Sequence, residues 1–337
     1  MARLQDPGSV TGVRHDLPAE PYDDVLVAAF DPGRAWVVPD RLLAGAGDDR
    51  RGGQGGGTTS HGPIVRAPDP ARGTPRRCVD GRLGRVHIER IGFTPVKGGR
   101  HLTHDLADLT LEGPAGDRVF CLVDRSRGRV LRTVENPALL RTCARWEAGV
   151  LSVELAGRTV EGVPSPGGET FTVDYWGRAA TLQGCTGPWA EAYSGYLGLD
   201  VVLCRAATPG EVVYGASVTL VTTGSMSRLS QRLGREAGSE RFRSTFLVDT
   251  GDSAPHVEDS WPGRDLRVGQ ATVRVRAMVP RCAVVDLDPV TARKDMPVLS
   301  GLSGYRLGQA EITFGVDAVV TVPGRVRTGD PVVLQEA

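Results

Sequence analysis

Alternating apolar and polar residues predict a strand in the C-terminal part of the chain. From residue 271 to 278 the alternation has a period of two, which is typical of a strand with one face in a core. Val273, Val275 and Ala277 form the apolar face in this pattern. We therefore expect a half-buried strand that carries its arginines on the opposite face.

Pro280 interrupts this pattern two residues later. Proline has no amide hydrogen to donate to a central sheet, so Arg281 and Cys282 are expected to leave the regular pairing and face an opening. A guanidinium beside a thiol favours the thiolate, which binds soft metals or acts as a nucleophile. A single cysteine after a strand is also often a small buried apolar residue.

The same period of two appears in several earlier segments. Residues 119–123 and 129–134 predict a hairpin with its turn at 124–128. Residues 150–157, 169–177, 201–206 and 216–222 read as further strands. A strand from residue 85 onward ends at Pro95 and displays Lys97 on a glycine-rich turn. The chain is therefore predicted to be mainly β, with few short helices.

Two segments follow a helical period. From 187 to 198, Trp189, Tyr193, Tyr196 and Leu197 share one face that we interpret as core, and Gly198 provides the stop.

A second, shorter helix is predicted to begin near Met226, with Ser225 as its N-cap. The hydroxyls of Thr222, Thr223 and Ser225, with the amides of this helix start, would also make a phosphate-binding or pterin-binding edge. Capping alone is the alternative.

Two arginines stand out in residues 241–249. Read as a strand, this segment places Arg241, Arg243 and Thr245 on one face, opposite an anchored aromatic pair. Two guanidinium groups on one face form a donor array suited to a phosphate. The alternative is a solvated edge face.

The amino-acid composition limits which partners the protein can bind and which cellular compartment it occupies. The 337 residues contain 40 Lys plus Arg and 40 Asp plus Glu, so no global charge attracts nucleic acid or an anionic membrane. Six cysteines without CxxC spacing argue against a zinc module or a disulfide scaffold and favour a reducing cytoplasm. We find neither an N-terminal targeting pattern nor a membrane-length apolar run, and expect a soluble cytoplasmic protein.

The first 83 residues are predicted to be an extension without a defined role. Residues 24–30 and 35–38 read as short strands, and residues 44–62 as a flexible glycine-rich linker containing a solvated His61. The GGQGGG run in this linker lacks the Gly-Lys-Ser/Thr ending of a phosphate-binding loop.

An ordered set of short motifs runs through the chain: FTPVKGG at 93–99, RFRSTFLVD at 241–249, VEDSW at 257–261, WPGRDLRVG, PRC, DLDPVTA and FGVDAVVTVPGRVRTGDPV. In this order the motifs resemble the MOSC domain family, which includes the C-terminal module of molybdenum-cofactor sulfurases and the mitochondrial amidoxime-reducing component. The resemblance covers about residues 84 to 336. It implies a smaller β-rich N-terminal domain at 84–205 and a MOSC β-barrel at 206–337.

The same resemblance implies a molybdenum cofactor, molybdopterin, in an oxidoreductase that reduces N-hydroxylated or N-oxide small molecules with electrons from a partner protein. Cys282 would be the metal ligand and catalytic residue. The implied cofactor-binding residues are Lys97, Arg132, Thr223, Ser225, Arg241, Arg243, Thr245 and Arg281.

Two positions depart from the family pattern. The family has an arginine where this chain has Val134, and Pro-Asn where it has Ser244 and Thr245. Arg132 lies two residues before Val134 and would share its strand face, so we expect it to replace the missing arginine.

Other functions remain open at this point. The thiol of Cys282 could carry a persulfide and transfer sulfur without a metal. A third possibility is a repurposed barrel that binds another anionic ligand in a specialised pathway.

Overall fold

The computed structural model describes residues 86–208, 210–308 and 311–336, all of which belong to one compact unit. The expectations for residues 1–83, including the strands at 24–30 and 35–38 and the linker at 44–62, lie outside the described residues. The rest of the chain is mostly strand, as predicted, with three α-helices in its described part.

The strands of the first half are β1 (His87–Phe93), β2 (Leu102–His104), β3 (Leu106–Thr110), β4 (Gly113–Pro114), β5 (Phe120–Asp124), β6 (Arg129–Val130), β7 (Cys143–Glu147), β8 (Val150–Leu155), β9 (Arg158–Gly162), β10 (Ser165–Tyr175), β11 (Arg178–Thr186) and β12 (Val201–Ala206). Those of the second half are β13 (Val218–Thr222), β14 (Phe246–Asp249), β15 (Asp265–Val268), β16 (Ala271–Pro280), β17 (Leu307–Gly308), β18 (Glu311–Val322), β19 (Gly324–Arg327) and β20 (Val332–Leu334). The α-helices are α1 (Trp189–Leu197), α2 (Thr223–Leu233) and α3 (Val298–Arg306).

A nine-stranded sheet forms the larger core. Its order is β2-β1-β14-β13-β18-β16-β15-β20, with β17 paired to β18. A bridge between His87 and Pro331, and a 2.9 Å hydrogen bond from Val332 N to Val86 O, join the start of β1 to the β20 edge and close the sheet into a barrel. Ile88, Leu220 and Phe246 are fully buried inside it.

The pairing of β1 assigns the start of the described chain to this barrel. β1 pairs with β14, and β3 pairs with β19, so strands from both ends of the chain share the same sheets. The predicted division at residues 205 and 206 stays a prediction.

A five-stranded sheet, β10-β11-β12-β5-β6, and a three-stranded sheet, β7-β8-β9, carry the second core. Helix α1 packs there, with Trp189 and Tyr193 fully buried and Gly198 in the left-handed conformation at its C-cap. The predicted helix and its apolar face are therefore confirmed.

Three local predictions were wrong. Residues 239–242 form a 3-10 helix and Arg243 has a positive φ of 50°, so the predicted strand begins only at Phe246. Helix α2 begins at Thr223 because Thr222, not Ser225, is its N-cap. β6 ends at Val130, and residues 133–135 form a turn.

The predicted strand at 271–278 is present as β16 and needs one correction. Val273 and Val275 are buried, whereas Ala277 is exposed because the register with β18 shifts between Val275 and Ala277. Within the described residues, no helix has the length and hydropathy that a membrane crossing requires.

Candidate functional site

Cys282 lies where the chain leaves the barrel sheet. β16 ends at Pro280, and Cys282 is the N-cap residue of a 3-10 helix over Ala283–Asp286. Its thiol is exposed, whereas Cys121, Cys185 and Cys204 are buried. Burial is also the main reason that the pKa of Cys121 is raised to about 12. Among these four cysteines, Cys282 alone is placed to meet a ligand from solvent.

Arg281 anchors the Cys282 segment through hydrogen bonds to backbone carbonyls. Its Nε and Nη2 donate to Phe314 O at 2.8 and 2.6 Å, and its Nη1 donates to Phe242 O at 2.9 Å. Desolvation lowers the pKa of Arg281 to about 10. Because these donors are used on backbone carbonyls, Arg281 positions the thiol next to the segment that carries Arg243.

Lys97 lies on the loop that follows β1. The loop is held by a bridge between Val96 and Phe120 and by a 2.8 Å hydrogen bond from Lys97 N to Phe120 O. Gly98 has a φ of 89°, a backbone conformation that side-chain-bearing residues rarely adopt. The Lys97 Nζ lies 5.4 Å from the Tyr175 ring centroid.

The ammonium group of Lys97 is in an unfavourable electrostatic environment. Desolvation, followed by the charges of Arg118 and Arg243, lowers its pKa from 10.5 to about 8. In the part of the chain that the structure describes, no carboxylate or hydrogen-bond acceptor pairs with Nζ. A cation that protein groups do not neutralise is suited to an anionic ligand.

Arg243 approaches the same loop from the barrel side. The positive φ of Arg243 directs its side chain back to the loop, where Nη1 donates to Gly99 O at 2.7 Å. Desolvation, followed by the charge of Arg118, lowers its pKa to about 10. Asp117 is the neighbouring carboxylate, and it is already bound by Arg118 Nε at 2.7 Å.

His101 completes the group that we call the Lys97 cluster: Lys97, His101, Arg118 and Arg243. Desolvation, followed by the charges of Arg243 and Arg118, lowers the pKa of His101 well below its ordinary value, so the imidazole is neutral at pH 7. Its Nδ1 is buried without a hydrogen-bond partner among the described residues.

Several buried polar atoms around the loop at 92–101 have no hydrogen-bond partner among the described residues. Besides His101 Nδ1, these atoms include Thr94 Oγ1, Ser244 Oγ and Arg90 Nη2. Gly92 lies close to Arg90 Nη1 and Ser244 O, and Gly99 lies close to Thr94 Oγ1. Buried polar groups are rarely left unpaired, so this region has the polar character of a ligand site.

Aromatic side chains lie between the Lys97 cluster and Tyr214. Tyr175, below Lys97, is followed by Trp176, whose ring centroid lies 5.0 Å from that of Tyr214. Burial, then the charges of Glu311 and Cys282, raise the pKa of Tyr214. The charge of Cys282 is therefore a smaller influence on Tyr214, the last ring of this aromatic row.

Arg241 lies apart from the Lys97 cluster, although it was predicted to share a face with Arg243. Its Nη1 and Nη2 donate to the two carboxylate oxygens of Asp295 at 2.7 and 2.6 Å, and Nη1 also donates to Leu287 O at 3.0 Å. The side chain is 6% exposed. Its hydrogen-bond donors therefore stabilise the fold and do not face a ligand.

The hydroxyls predicted to form a pterin edge also bond within the protein. Ser225 Oγ and Thr222 Oγ1 donate to the buried carboxylate of Glu258 at 2.6 and 2.8 Å. Thr223 Oγ1 donates to Asp249 Oδ1 at 3.1 Å.

Thr245 likewise forms its hydrogen bonds within the protein. Its amide donates to Thr219 Oγ1, and its own Oγ1 accepts from Thr219 N, both at 3.1 Å. The exchange connects the start of β14 to β13. With 1% of its surface exposed, Thr245 is closed to a ligand.

Arg132 lies near the Lys97 cluster for a different reason from the predicted one. It precedes a turn rather than occupying a strand with Val134, and its guanidinium lies 4.5 Å from the Trp176 ring centroid. It is also 3.8 Å from the carboxylate of Glu135. Its charge is a minor cause of the lowered pKa of Lys97.

Sequence reasoning missed Arg118, His101 and the aromatic row. His101 lies two residues after the recognised PVKGG motif, so its neighbourhood was a usable signal. Arg118 gave none, because it reaches the cluster from a tight turn with a φ of 47°.

Comparison with known families matches both halves of the described chain. The family model of the MOSC N-terminal beta barrel domain matches residues 85–198, and that of the MOSC domain matches residues 211–333. The chain therefore belongs to the MOSC family, which confirms the resemblance noted in its motifs.

Solved structures show more distant similarities. The YUAD protein from Bacillus subtilis is 13% identical over 73% of this chain and 93% of its own, with a TM-score of 0.37. YiiM from Geobacillus stearothermophilus is 17% identical over 36% of this chain and 54% of its own, with a TM-score of 0.27. YiiM from Escherichia coli is 16% identical over 36% and 55%, with a TM-score of 0.26. A search of curated proteins found no match.

Proposed function

We propose that this chain binds a molybdopterin-type cofactor and uses it to reduce N-hydroxylated or N-oxide small molecules. The observation that carries the proposal is the Lys97 cluster, in which Lys97 and Arg243 lie close together and have no carboxylate partner of their own among the described residues. An anionic ligand relieves this repulsion and gains charge-assisted hydrogen bonds.

The residues fit the two ends of such a cofactor. Lys97 and Arg243 would hold its anionic part, while the exposed thiol of Cys282 offers the soft ligand that its metal requires. His101 is neutral and offers a ring nitrogen for hydrogen bonding to the pterin. Arg241, Thr245, Thr223 and Ser225 have no part in the proposal, because their polar groups already bond within the protein.

When bound, the cofactor supplies two electrons that, with two protons, convert an N–OH group to N–H and water. The protein supplies orientation and charge. Arg281 holds the Cys282 segment in place through its three hydrogen bonds. A partner protein would supply the electrons.

The test compares purified wild type with Lys97→Met and Cys282→Ser, after expression in a host that makes the cofactor. Molybdenum is measured by mass spectrometry and pterin by fluorescence after oxidation. We expect about one equivalent of each in wild type and loss of both in Lys97→Met. Cys282→Ser should keep pterin but lose reduction of an amidoxime with an artificial electron donor.

Lys294→Met is the matched control, since Lys294 is 69% exposed and pairs loosely with Asp286 at 3.6 Å. It should retain both metal and pterin. Wild type that acquires neither under these conditions would contradict the proposal.

Sulfur transfer is the second candidate, because Cys282 is exposed. In that case wild-type protein without metal would carry a persulfide on Cys282 that cyanide releases as thiocyanate, and Cys282→Ser would release none. If Cys282→Ser instead leaves activity per folded molecule unchanged, neither chemistry uses this thiol.

A further inference from the structure

Outside the Lys97 cluster, one histidine and two carboxylates meet on the outer face of the barrel. His87 and Glu89 belong to β1, and Asp249 ends β14. One ligand atom from each of the three residues lies within 4.8 Å of the others. His87 Nε2 is 3.7 Å from Glu89 Oε2 and 3.9 Å from Asp249 Oδ2.

The strand pairing brings these three residues together. His87 pairs directly with Asp249 in the antiparallel register, which places their side chains on the same face. The register shifts between Ile88 and Arg90, so Glu89 sits in a β-bulge. A bulge can re-aim a side chain, and here Glu89 is directed toward the same point as Asp249.

Hydrogen bonds to Oδ1, the oxygen farther from His87, orient the Asp249 carboxylate. Its Oδ1 accepts from Thr223 Oγ1 at 3.1 Å and from Gly251 N at 2.8 Å, while Oδ2 is the atom nearest His87. Hydrogen bonds to the non-ligating oxygen are the kind of outer contact that fixes metal-binding carboxylates. Among the described residues, no arginine or lysine pairs with Glu89 or Asp249.

We propose that His87, Glu89 and Asp249 form a binding site for a divalent transition-metal ion of the zinc class. Ligands about 2.1 Å from a tetrahedral zinc ion lie roughly 3.4 Å from one another, so sub-ångström shifts of half-exposed side chains suffice. One nitrogen and two oxygens suit zinc, and the fourth position is left to solvent. The ion fastens β1 to β14, and this role is independent of the cofactor proposed at Cys282.

The experiment is titration of wild type with Zn²⁺ by calorimetry and with Co²⁺ by visible spectroscopy. We expect about one equivalent of Co²⁺ with d–d bands and no thiolate-to-cobalt charge-transfer band, which distinguishes this site from Cys282. Excess Zn²⁺ should raise Tm by about 2 to 4 °C.

Glu89→Gln and His87→Gln should each weaken Zn²⁺ affinity at least about tenfold and remove the rise in Tm. Glu89 is 54% exposed, so its variant should fold normally. His104→Gln is the matched control, since this histidine stacks on Phe93 at a centroid distance of 3.7 Å. Zn²⁺ affinity that is the same in wild type and Glu89→Gln, or a cobalt spectrum dominated by a thiolate band, would overturn the proposal.

Discussion

Arg241 and Arg243 are two residues apart, yet their guanidinium groups have opposite surroundings. Arg241 binds both carboxylate oxygens of Asp295 and a backbone carbonyl, and its side chain is 6% exposed. Arg243 has one carbonyl partner and lies near Lys97 and Arg118, and desolvation, followed by the charge of Arg118, lowers its pKa. A buried arginine with a bidentate carboxylate supports structure, whereas one that faces other cations is available to an anion.

The same contrast separates the two sides of the site. On the α2 side, the Glu258 carboxylate satisfies Thr222 and Ser225. Around the loop at 92–101, Thr94 Oγ1, His101 Nδ1 and Ser244 Oγ have no hydrogen-bond partner among the described residues. Thr250 Oγ1 and the ring nitrogens of His256, beside the start of α2, are also unpaired, so the two sides differ in the carboxylate that binds the hydroxyls rather than in the presence of unpaired atoms.

The largest expected effect comes from breaking the Arg241 pair. Arg241→Gln removes the buried partner of Asp295, which is 28% exposed and keeps Arg235, so the free energy of unfolding should fall by about 3 kcal/mol in urea titrations. Arg235→Gln is the control, because Arg235 is 56% exposed and contacts the same carboxylate at 3.3 Å. Its effect should stay below about 1 kcal/mol. Equal effects would mean that Arg241 is not the structural arginine.

Lys97→Met should act in the opposite direction. Below pH 8 the folded and unfolded states are both protonated at Lys97, so folding carries the full cost of the lowered pKa. Between about pH 8 and 10.5 the folded state releases the proton first, and the wild-type free energy of unfolding should rise with pH.

Methionine removes this cost, so at pH 7 the Lys97→Met variant should be more stable than wild type by about 3 kcal/mol, because each tenfold change in the acid dissociation constant corresponds to ~1.4 kcal/mol. Its stability should not show the rise between pH 8 and 10.5. Urea unfolding across pH 7 to 10.5, with Lys294→Met as control, measures both. A variant less stable than wild type at pH 7 would contradict the electrostatic interpretation.

Arg243→Gln should reduce anion binding with little change in folding. One charge-assisted hydrogen bond contributes about 1.5 to 3 kcal/mol, so the affinity for inorganic phosphate, read by thermal shift, should fall roughly tenfold or more. Arg241→Gln, corrected for its lower stability, should keep the wild-type affinity. If both variants lose affinity equally, the distinction between the two arginines fails.

The smallest effect is expected at Arg132. Because its charge is a minor influence on Lys97, Arg132→Ala should weaken phosphate binding by less than about 1 kcal/mol, slightly more than Arg129→Ala. Arg129 donates to Glu135 at 2.6 Å and serves as the control. A tenfold loss in Arg132→Ala would restore it as the replacement for the arginine missing at Val134.

Local patterns predicted the regular elements well. The apolar face of α1 and the buried valines of β16 follow directly from the spacing of residues along one segment. The resemblance to the MOSC family predicted the Lys97 loop and Cys282 as site residues, which stays a prediction, and the family assignment is confirmed.

Partners distant in sequence explain what local patterns could not predict. The local pattern predicts that Arg241 lies in a strand. In the structure Arg241 binds Asp295, which is 54 residues later, and lies in a 3-10 helix. The local pattern predicts that Ser225 is a helix cap, whereas its hydroxyl donates a hydrogen bond to the Glu258 carboxylate. Arg118 joins the cluster only through the fold, so no spacing along the chain indicates it.

The lowered pKa of Lys97 has a practical consequence for chemical labelling. The whole chain contains two lysines, Lys97 and Lys294, and the second is 69% exposed. At pH 8 about half of the Lys97 amines are unprotonated and nucleophilic. The ratio of acylation at the two lysines, measured by peptide mass spectrometry, therefore reports occupancy of the Lys97 cluster in unmodified protein and needs no knowledge of the substrate.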